Sequence, residues 1–119
     1  MRPLIVVSLA GVGFAAAGCQ QAVSAGLGDA RRGAIVIGQS QCGSCHSIPG
    51  VPNANGLSGP PLTHFASRTI IAGVIANTPE GLIAWLRAPQ AAVPGNAMPD
   101  MDLSEQRARD AAAYLETLR

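Results

Sequence analysis

Lysine is missing altogether from this sequence of 119 residues; every basic side chain is an arginine, at positions Arg2, Arg31, Arg32, Arg68, Arg87, Arg107, Arg109 and Arg119. Charged residues make up only 13% of the chain and the formal net charge is +1. No basic stripe of the kind that grips nucleic acid is visible, and nucleic acid is therefore excluded as a partner. Aromatic side chains are scarcer still, at 3%: Phe14, Phe65, Trp85 and Tyr114. Phe14 falls in an apolar N-terminal segment, so a domain of roughly 100 residues is left with very little bulky filler. A domain of that size is near the lower limit for burying a core unaided. Something other than aromatic side chains is expected to occupy its middle.

A span long enough to cross a bilayer is also lacking. Met1 and Arg2 form a short positive start, and Leu4 to Ala17 is an apolar run that matches a secretory h-region but is short of the ~20 apolar residues a transmembrane helix needs. The run ends in Ala16-Ala17-Gly18-Cys19, which resembles a bacterial lipobox, with Ala16 where leucine is commoner. On that reading residues 1–18 are a lipoprotein-type signal peptide and Cys19 is the lipidated first residue of the mature chain. Acyl chains contribute about 0.8 kcal/mol per buried CH₂, so two or three of them anchor a protein stably. Residues 19–28 then carry the lipid and a flexible tether, with a random-coil reach of roughly 16 Å. An uncleaved N-terminal helix and a soluble periplasmic form are the alternatives.

The chemistry is carried by Cys42-Gly43-Ser44-Cys45-His46, the C-x-x-C-H signature of c-type haem attachment. Two cysteines three apart can each add to one vinyl group of the same porphyrin, making two thioether bonds. The histidine that follows is then placed to bind the iron. A thioredoxin-type pair would need a βαβ context, and no strand pattern precedes Cys42. A zinc site would have to recruit His64, whose separation from His46 matches no finger spacing. A disulfide within C-x-x-C would close a very small loop and add little. One covalently attached haem c is expected, held through Cys42 and Cys45 and ligated by His46.

The sixth ligand is sought downstream. Val93-Pro94-Gly95-Asn96-Ala97-Met98-Pro99 places a methionine in a loop stiffened by proline on both sides, and a thioether from such a loop can reach the iron. His/Met ligation raises the reduction potential. Met101 is the competitor, flanked by Asp100 and Asp102; Met98 is preferred.

Between these sites the pattern is helical. Asp29 can cap a helix from Ala30 to about Gln41. Residues 47–62 are Pro/Gly-rich loop, and Thr69 to Ile75 is too short for periodicity to separate helix from strand. Thr78-Pro79-Glu80 is a helix start with Leu82, Trp85 and Leu86 on one face, stopped before Pro89. Ser104-Glu105 opens a last helix in which Ala108, Ala111, Ala112, Leu115 and Leu118 recur at helical spacing.

In this order (helix, C-x-x-C-H, Gly-Pro-x-Leu loop, helix, Met-Pro loop, helix) the chain resembles class I cytochromes c over residues 29–119. The resemblance implies an all-α fold wrapped around one haem. It implies that Pro60 of Gly59-Pro60-Pro61-Leu62 accepts a hydrogen bond from the other ring nitrogen of His46. It also implies that Gly33 and Ile37 pack on Tyr114 and Leu115, and that Arg68 faces a propionate or is an ordinary surface charge. Trp85 is assigned to the cofactor's surroundings. Leu62-Thr63-His64-Phe65-Ala66-Ser67-Arg68, Asn77-Thr78-Pro79-Glu80 and Trp85-Leu86-Arg87-Ala88-Pro89-Gln90 look like the cytochrome domain of haem–copper oxidase subunit II, here expected to be free-standing. With both axial positions filled the protein is not expected to be an enzyme. The function implied is single-electron transfer in a bacterial respiratory chain, to a haem–copper terminal oxidase at the periplasmic membrane face. The alternative is a cytochrome subunit of an exported dehydrogenase complex. With no lysine ring to steer a partner, contact is expected through an apolar rim of Val93, Ala97, Pro99 and the Val51-Pro52 loop.

Overall fold

The computed structural model describes residues 26–119. The expected leader, Cys19 and most of the tether lie outside the described residues. Four helices dominate: α1 (Ala30–Gln39), α2 (Pro79–Arg87), α3 (Pro89–Ala92) and α4 (Glu105–Leu115), with short 3₁₀ turns at Cys42–Ser44 and Phe65–Ser67. No helix among the described residues is long and apolar enough to cross a membrane.

The three longer helices start where their caps dictate. The Asp29 side chain accepts from the Arg32 N–H, Thr78 Oγ1 from that of Gly81, and Ser104 Oγ from that of Arg107, each satisfying an amide that has no partner within its helix. α1 ends at Gln39 rather than Gln41, because Gln41 takes a left-handed conformation, φ 56, and turns the chain into the Cys42–Ser44 turn. Leu118 lies beyond the end of α4 and still packs against the core. α3 is not evident from periodicity: Pro89 stops α2 and immediately starts a new turn.

The ambiguous stretch is a small antiparallel hairpin, β1 (Ile70–Ile71) and β2 (Ile75–Ala76), with Ile71 opposite Ile75. Its turn uses two consecutive residues of positive φ, Ala72 and Gly73, the twist that two-strand ribbons prefer. Only Ile71 of the hairpin is buried; Ile70 and Val74 are exposed.

α1 crosses α4 at Gly33. A Cβ there would fall 1.9 Å from the Asp110 carbonyl oxygen and 2.9 Å from Tyr114 Cβ, so only glycine allows this approach. Val36 and Ile37 of α1 and Ala108, Ala111, Ala112 and Leu115 of α4 are buried around that crossing. The small alanines of α4 let the helices close without aromatic filler.

The same crossing contains a buried carboxylate that helical periodicity did not single out. Asp110 is 3% exposed. Its Oδ1 accepts from the Asp29 N–H at 2.8 Å, Arg32 Nη2 at 3.2 Å and Gln106 Nε2 at 3.0 Å, and its Oδ2 accepts from Arg32 Nε at 3.0 Å. It is covered by these side chains near the surface rather than sunk in apolar core, so it stays ionised: the hydrogen bond from Arg32 holds its carboxyl below the usual carboxylate range against the opposing effect of burial. Asp110→Ala leaves the Asp29 amide and the Arg32 guanidinium without their acceptor. An expected loss of about 2 kcal/mol, or roughly 10 °C in midpoint, follows. Asp110→Asn keeps the shape and loses less. Because the folded-state value is depressed, the carboxylate's contribution is fully present above the ordinary carboxylate range and is lost as pH falls through the lowered value. The gap between wild type and Asp110→Asn should therefore narrow in acid, which thermal melts across the acidic range would measure.

Among the described residues the packing extends back to Gly26, ahead of the boundary read at Asp29. Gly28 N–H donates to the Arg109 carbonyl at 2.9 Å, Arg109 Nη1 donates to the Gly26 carbonyl at 2.6 Å, and Leu27 packs on the core. Residues 26–28 are thus docked on α4 and are not part of a free tether.

Candidate functional site

A cavity of about 350 Å³ lies inside the fold. Its walls come from three of the helices and from the segments between them. α1 supplies Val36 and Ile37, α2 supplies Leu82, Trp85 and Leu86, and α4 supplies Ala111 and Leu115. The loops supply Ile48, Leu62, Phe65, Ile71 and Leu103. Most of these are among the best-buried residues of the molecule, so the hydrophobic core is arranged as a shell around a space rather than as a filled interior. Interiors normally pack at the density of organic crystals. A shell of this kind is the arrangement expected of residues that enclose a large apolar group.

Cys42, Cys45 and His46 all line the cavity. The turn at Cys42–Ser44 is closed by the Cys45 N–H and the His46 N–H, both donating to the Cys42 carbonyl. Both cysteines are free thiols. Cys42 is half-buried, and burial pushes its thiol above the ordinary range, while Cys45 is exposed. No cluster of three or more histidine, cysteine or acidic side chains suited to a metal ion exists among the described residues, and His64 is exposed and does not line the cavity. His64 is therefore not brought to Cys42, Cys45 and His46 as the fourth ligand of a zinc site.

The orientation of His46 is set from behind. Its Nδ1 lies 2.7 Å from the Pro60 carbonyl oxygen. A carbonyl only accepts, so Nδ1 carries the proton and Nε2 keeps the lone pair that binds a metal. The ring rests against Gly59, where a Cβ would come within 2.6 Å of His46 Cε1. The Gly59 N–H donates to the Cys45 carbonyl at 2.7 Å, which fixes the Gly59-Pro60 strand under the motif. One imidazole nitrogen is thereby tied down and the other left for the cavity.

The Met98 loop reaches the same cavity after α3. Asn96, Ala97, Met98 and Pro99 line the cavity, and Met98 is half-buried. Met101 packs against the core without lining the cavity. Trp85 lines it, half-buried. Arg68 also lines it; its Nη2 donates to the Pro61 carbonyl and its guanidinium stands 5.3 Å over the Phe65 ring. That leaves further donors of the guanidinium free for an anionic group.

The expected apolar rim needs one correction. Val51 is buried in the core rather than exposed, because the Ser47–Asn55 bridge folds its loop inward. The exposed lining residues, Cys45, Ser58, Pro60, Ala72, Ala97 and Pro99, are all uncharged, and the half-buried Arg68 is the charged side chain beside them. Leu57 and Val74, 92% and 72% exposed, adjoin them along the chain.

The donor set fits a covalently held haem. Two thiols three residues apart, an imidazole with one nitrogen free, a thioether from a second loop and an apolar shell all line one cavity. The space is the feature a different chemistry would leave unexplained.

Comparison with known proteins identifies a family. The cytochrome c family model matches residues 30–119. The chain is 38% identical over 91 residues to cytochrome c oxidase subunit 2 of Alkalihalophilus pseudofirmus, covering 76% of this chain and 26% of that protein. It is 32% identical over 94 residues to cytochrome c oxidase subunit 2 of Bacillus subtilis, again covering 76% of this chain and 26% of that one. The chain spans about a quarter of the length of the curated relatives it matches.

Proposed function

The chain belongs to the cytochrome c family, an electron-transfer fold, and we propose from there that it is a monohaem carrier delivering single electrons to a haem–copper terminal oxidase at the periplasmic face of a bacterial membrane. The observation that carries the carrier reading is the cavity itself, with His46 and Met98 on its wall and Cys42 and Cys45 at its edge. Bound there, the haem supplies a one-electron couple. The chain's own residues do the rest. Cys42 and Cys45 would hold the group by thioether bonds, and His46 and Met98 would ligate its iron, leaving that iron no open position for a substrate. Pro60 fixes the imidazole and raises its strength as a ligand. Val36, Leu82, Leu86 and Leu115 exclude water. Arg68 offers a guanidinium to a propionate.

The oxidase as acceptor is supported by the likeness to two cytochrome c oxidase subunits 2. Membrane attachment through a lipid on Cys19 rests on the lipobox-like residues. A chain confined near the membrane meets a membrane-bound acceptor at high effective concentration, and long-range attraction is then less necessary. The uncharged rim fits that arrangement. Its only charged neighbour on the cavity wall, Arg68, is folded onto Phe65 and Pro61.

Electron transfer from the haem-loaded protein to a haem–copper oxidase in the same membrane should therefore change by under about threefold as added salt shortens the screening length from roughly 10 to 3 Å. Stopped-flow oxidation of the reduced protein measures it. Removal of residues 1–25, which spares the docked Gly26–Gly28 segment, should slow the reaction at low protein concentration and leave the potential unchanged. A steep fall with salt, or no transfer to an oxidase, would defeat the reading.

A further inference from the structure

The segment that carries Met98 holds itself together. Every hydrogen bond made by residues 90–100 among the described residues has its partner between Ala88 and Asp100. None reaches α1, α2 or α4. Two side-chain amides, Gln90 and Asn96, make most of these bonds. Gln90 Nε2 donates to the Asn96 carbonyl at 2.8 Å and to the Met98 carbonyl at 2.7 Å. Asn96 Nδ2 donates to the Pro89 and Val93 carbonyls at 2.8 and 2.7 Å, while its Oδ1 accepts from the Met98 N–H at 2.7 Å. The Gln90 N–H in turn donates to Asp100 Oδ1 at 3.1 Å.

The chemistry leaves no freedom in these assignments. Each amide nitrogen faces two carbonyl oxygens, and the one amide oxygen used faces an N–H, so neither group can be flipped without placing acceptor against acceptor. Both the carbonyl and the N–H of Met98 are bound, one by each amide. The residue is gripped through its backbone at both ends, and the side chain is left to point where the loop points.

We propose that Gln90 and Asn96 are positioning residues for Met98, an amide clamp that keeps its thioether on the haem iron and so resists replacement by external ligands. The inference rests on the His46/Met98 reading above. It goes beyond that reading by assigning a role to two residues that touch neither iron nor haem attachment. A loop bonded only to itself can swing away as a body, and the clamp governs whether Met98 moves within it or stays in register. Without the Gln90 side chain, the Met98 and Asn96 carbonyls lose their donor and the loop end is free to relax. The oxidised protein should then trade its methionine for an added ligand more readily.

The test is an imidazole titration of the oxidised, haem-loaded protein, followed by loss of the weak far-red sulfur-to-iron band. Gln90→Ala removes two hydrogen bonds and should tighten apparent imidazole binding by about tenfold or more. Asn96→Ala should act in the same direction. Gln90→Glu keeps the size but aims a carboxylate at two carbonyls, so it should loosen the methionine at least as much and fail to rescue. Gln39→Ala, an exposed amide on α1, should leave imidazole binding at the wild-type level. Met98→Ala runs in parallel to separate the two readings. Where it abolishes the band and Gln90→Ala and Gln90→Glu both bind imidazole as wild type does, the clamp is refuted while the ligation stands. Retention of the band in Met98→Ala overturns the ligation and the clamp with it.

Discussion

Replacing both Cys42 and Cys45 by alanine is expected to give a protein that retains no haem after acid–acetone extraction and accumulates poorly. The reason is quantitative. The cavity is about 350 Å³, and an enclosed, unfilled apolar cavity costs about 24 cal/mol per Å³, which caps the penalty for this partly open one at about 8 kcal/mol. Whole domains of this size are stable by only ~5–15 kcal/mol. A chain whose interior faces an empty space of that size has little reason to keep its packing, and loops 47–62 and 93–103, which line much of it, should be the first to loosen. Single replacements leave one thioether and should retain haem on a denaturing gel with lowered yield. Haem staining at the protein's mass, together with far-ultraviolet circular dichroism of the double variant, checks this. A well-folded double variant, or a wild-type apoprotein that takes up zinc, would contradict it.

Met98→Ala should abolish the far-red sulfur-to-iron band and lower the reduction potential by on the order of 0.2 V, a fraction of the ~0.8 V that axial ligation spans. Thioether sulfur favours the ferrous state, so its removal favours the ferric one. Met101→Ala should leave band and potential nearly unchanged. Met101 is packed on the core without lining the cavity, so its truncation should appear as a stability loss of about 1 kcal/mol, the lower end for a half-buried side chain. Redox titration of the two variants distinguishes the positions, and the reverse result would transfer the ligand role to Met101.

Local chemistry made much of this protein readable in one dimension. The C-x-x-C-H motif states its spacing outright, and the three helix starts are written in Asp29, Thr78 and Ser104, because a cap bonds an amide only a few residues away. The all-α class is implied by the resemblance to class I cytochromes c that the order of motifs carries, and the family match supports it. The same resemblance implies that the Pro60 carbonyl accepts from His46, and the fold places it 2.7 Å from Nδ1.

Tertiary structure decided what depends on partners far along the chain. Asp110 looks like one more polar position on a helix until α1 brings Asp29 and Arg32 to it, 81 and 78 residues away. Leu27 and Gly28 read as linker by composition, yet α4 offers them a groove and a carbonyl. Thr69 to Ile75 could be helix or strand until Ala72 and Gly73 take positive φ and reverse the chain. Gln90 and Asn96 are ordinary loop residues by type, and only the fold of residues 89–100 turns their amides onto Met98. The cavity is the clearest case. Periodicity marks which residues turn inward; whether they meet one another or enclose a space depends on all the helices at once.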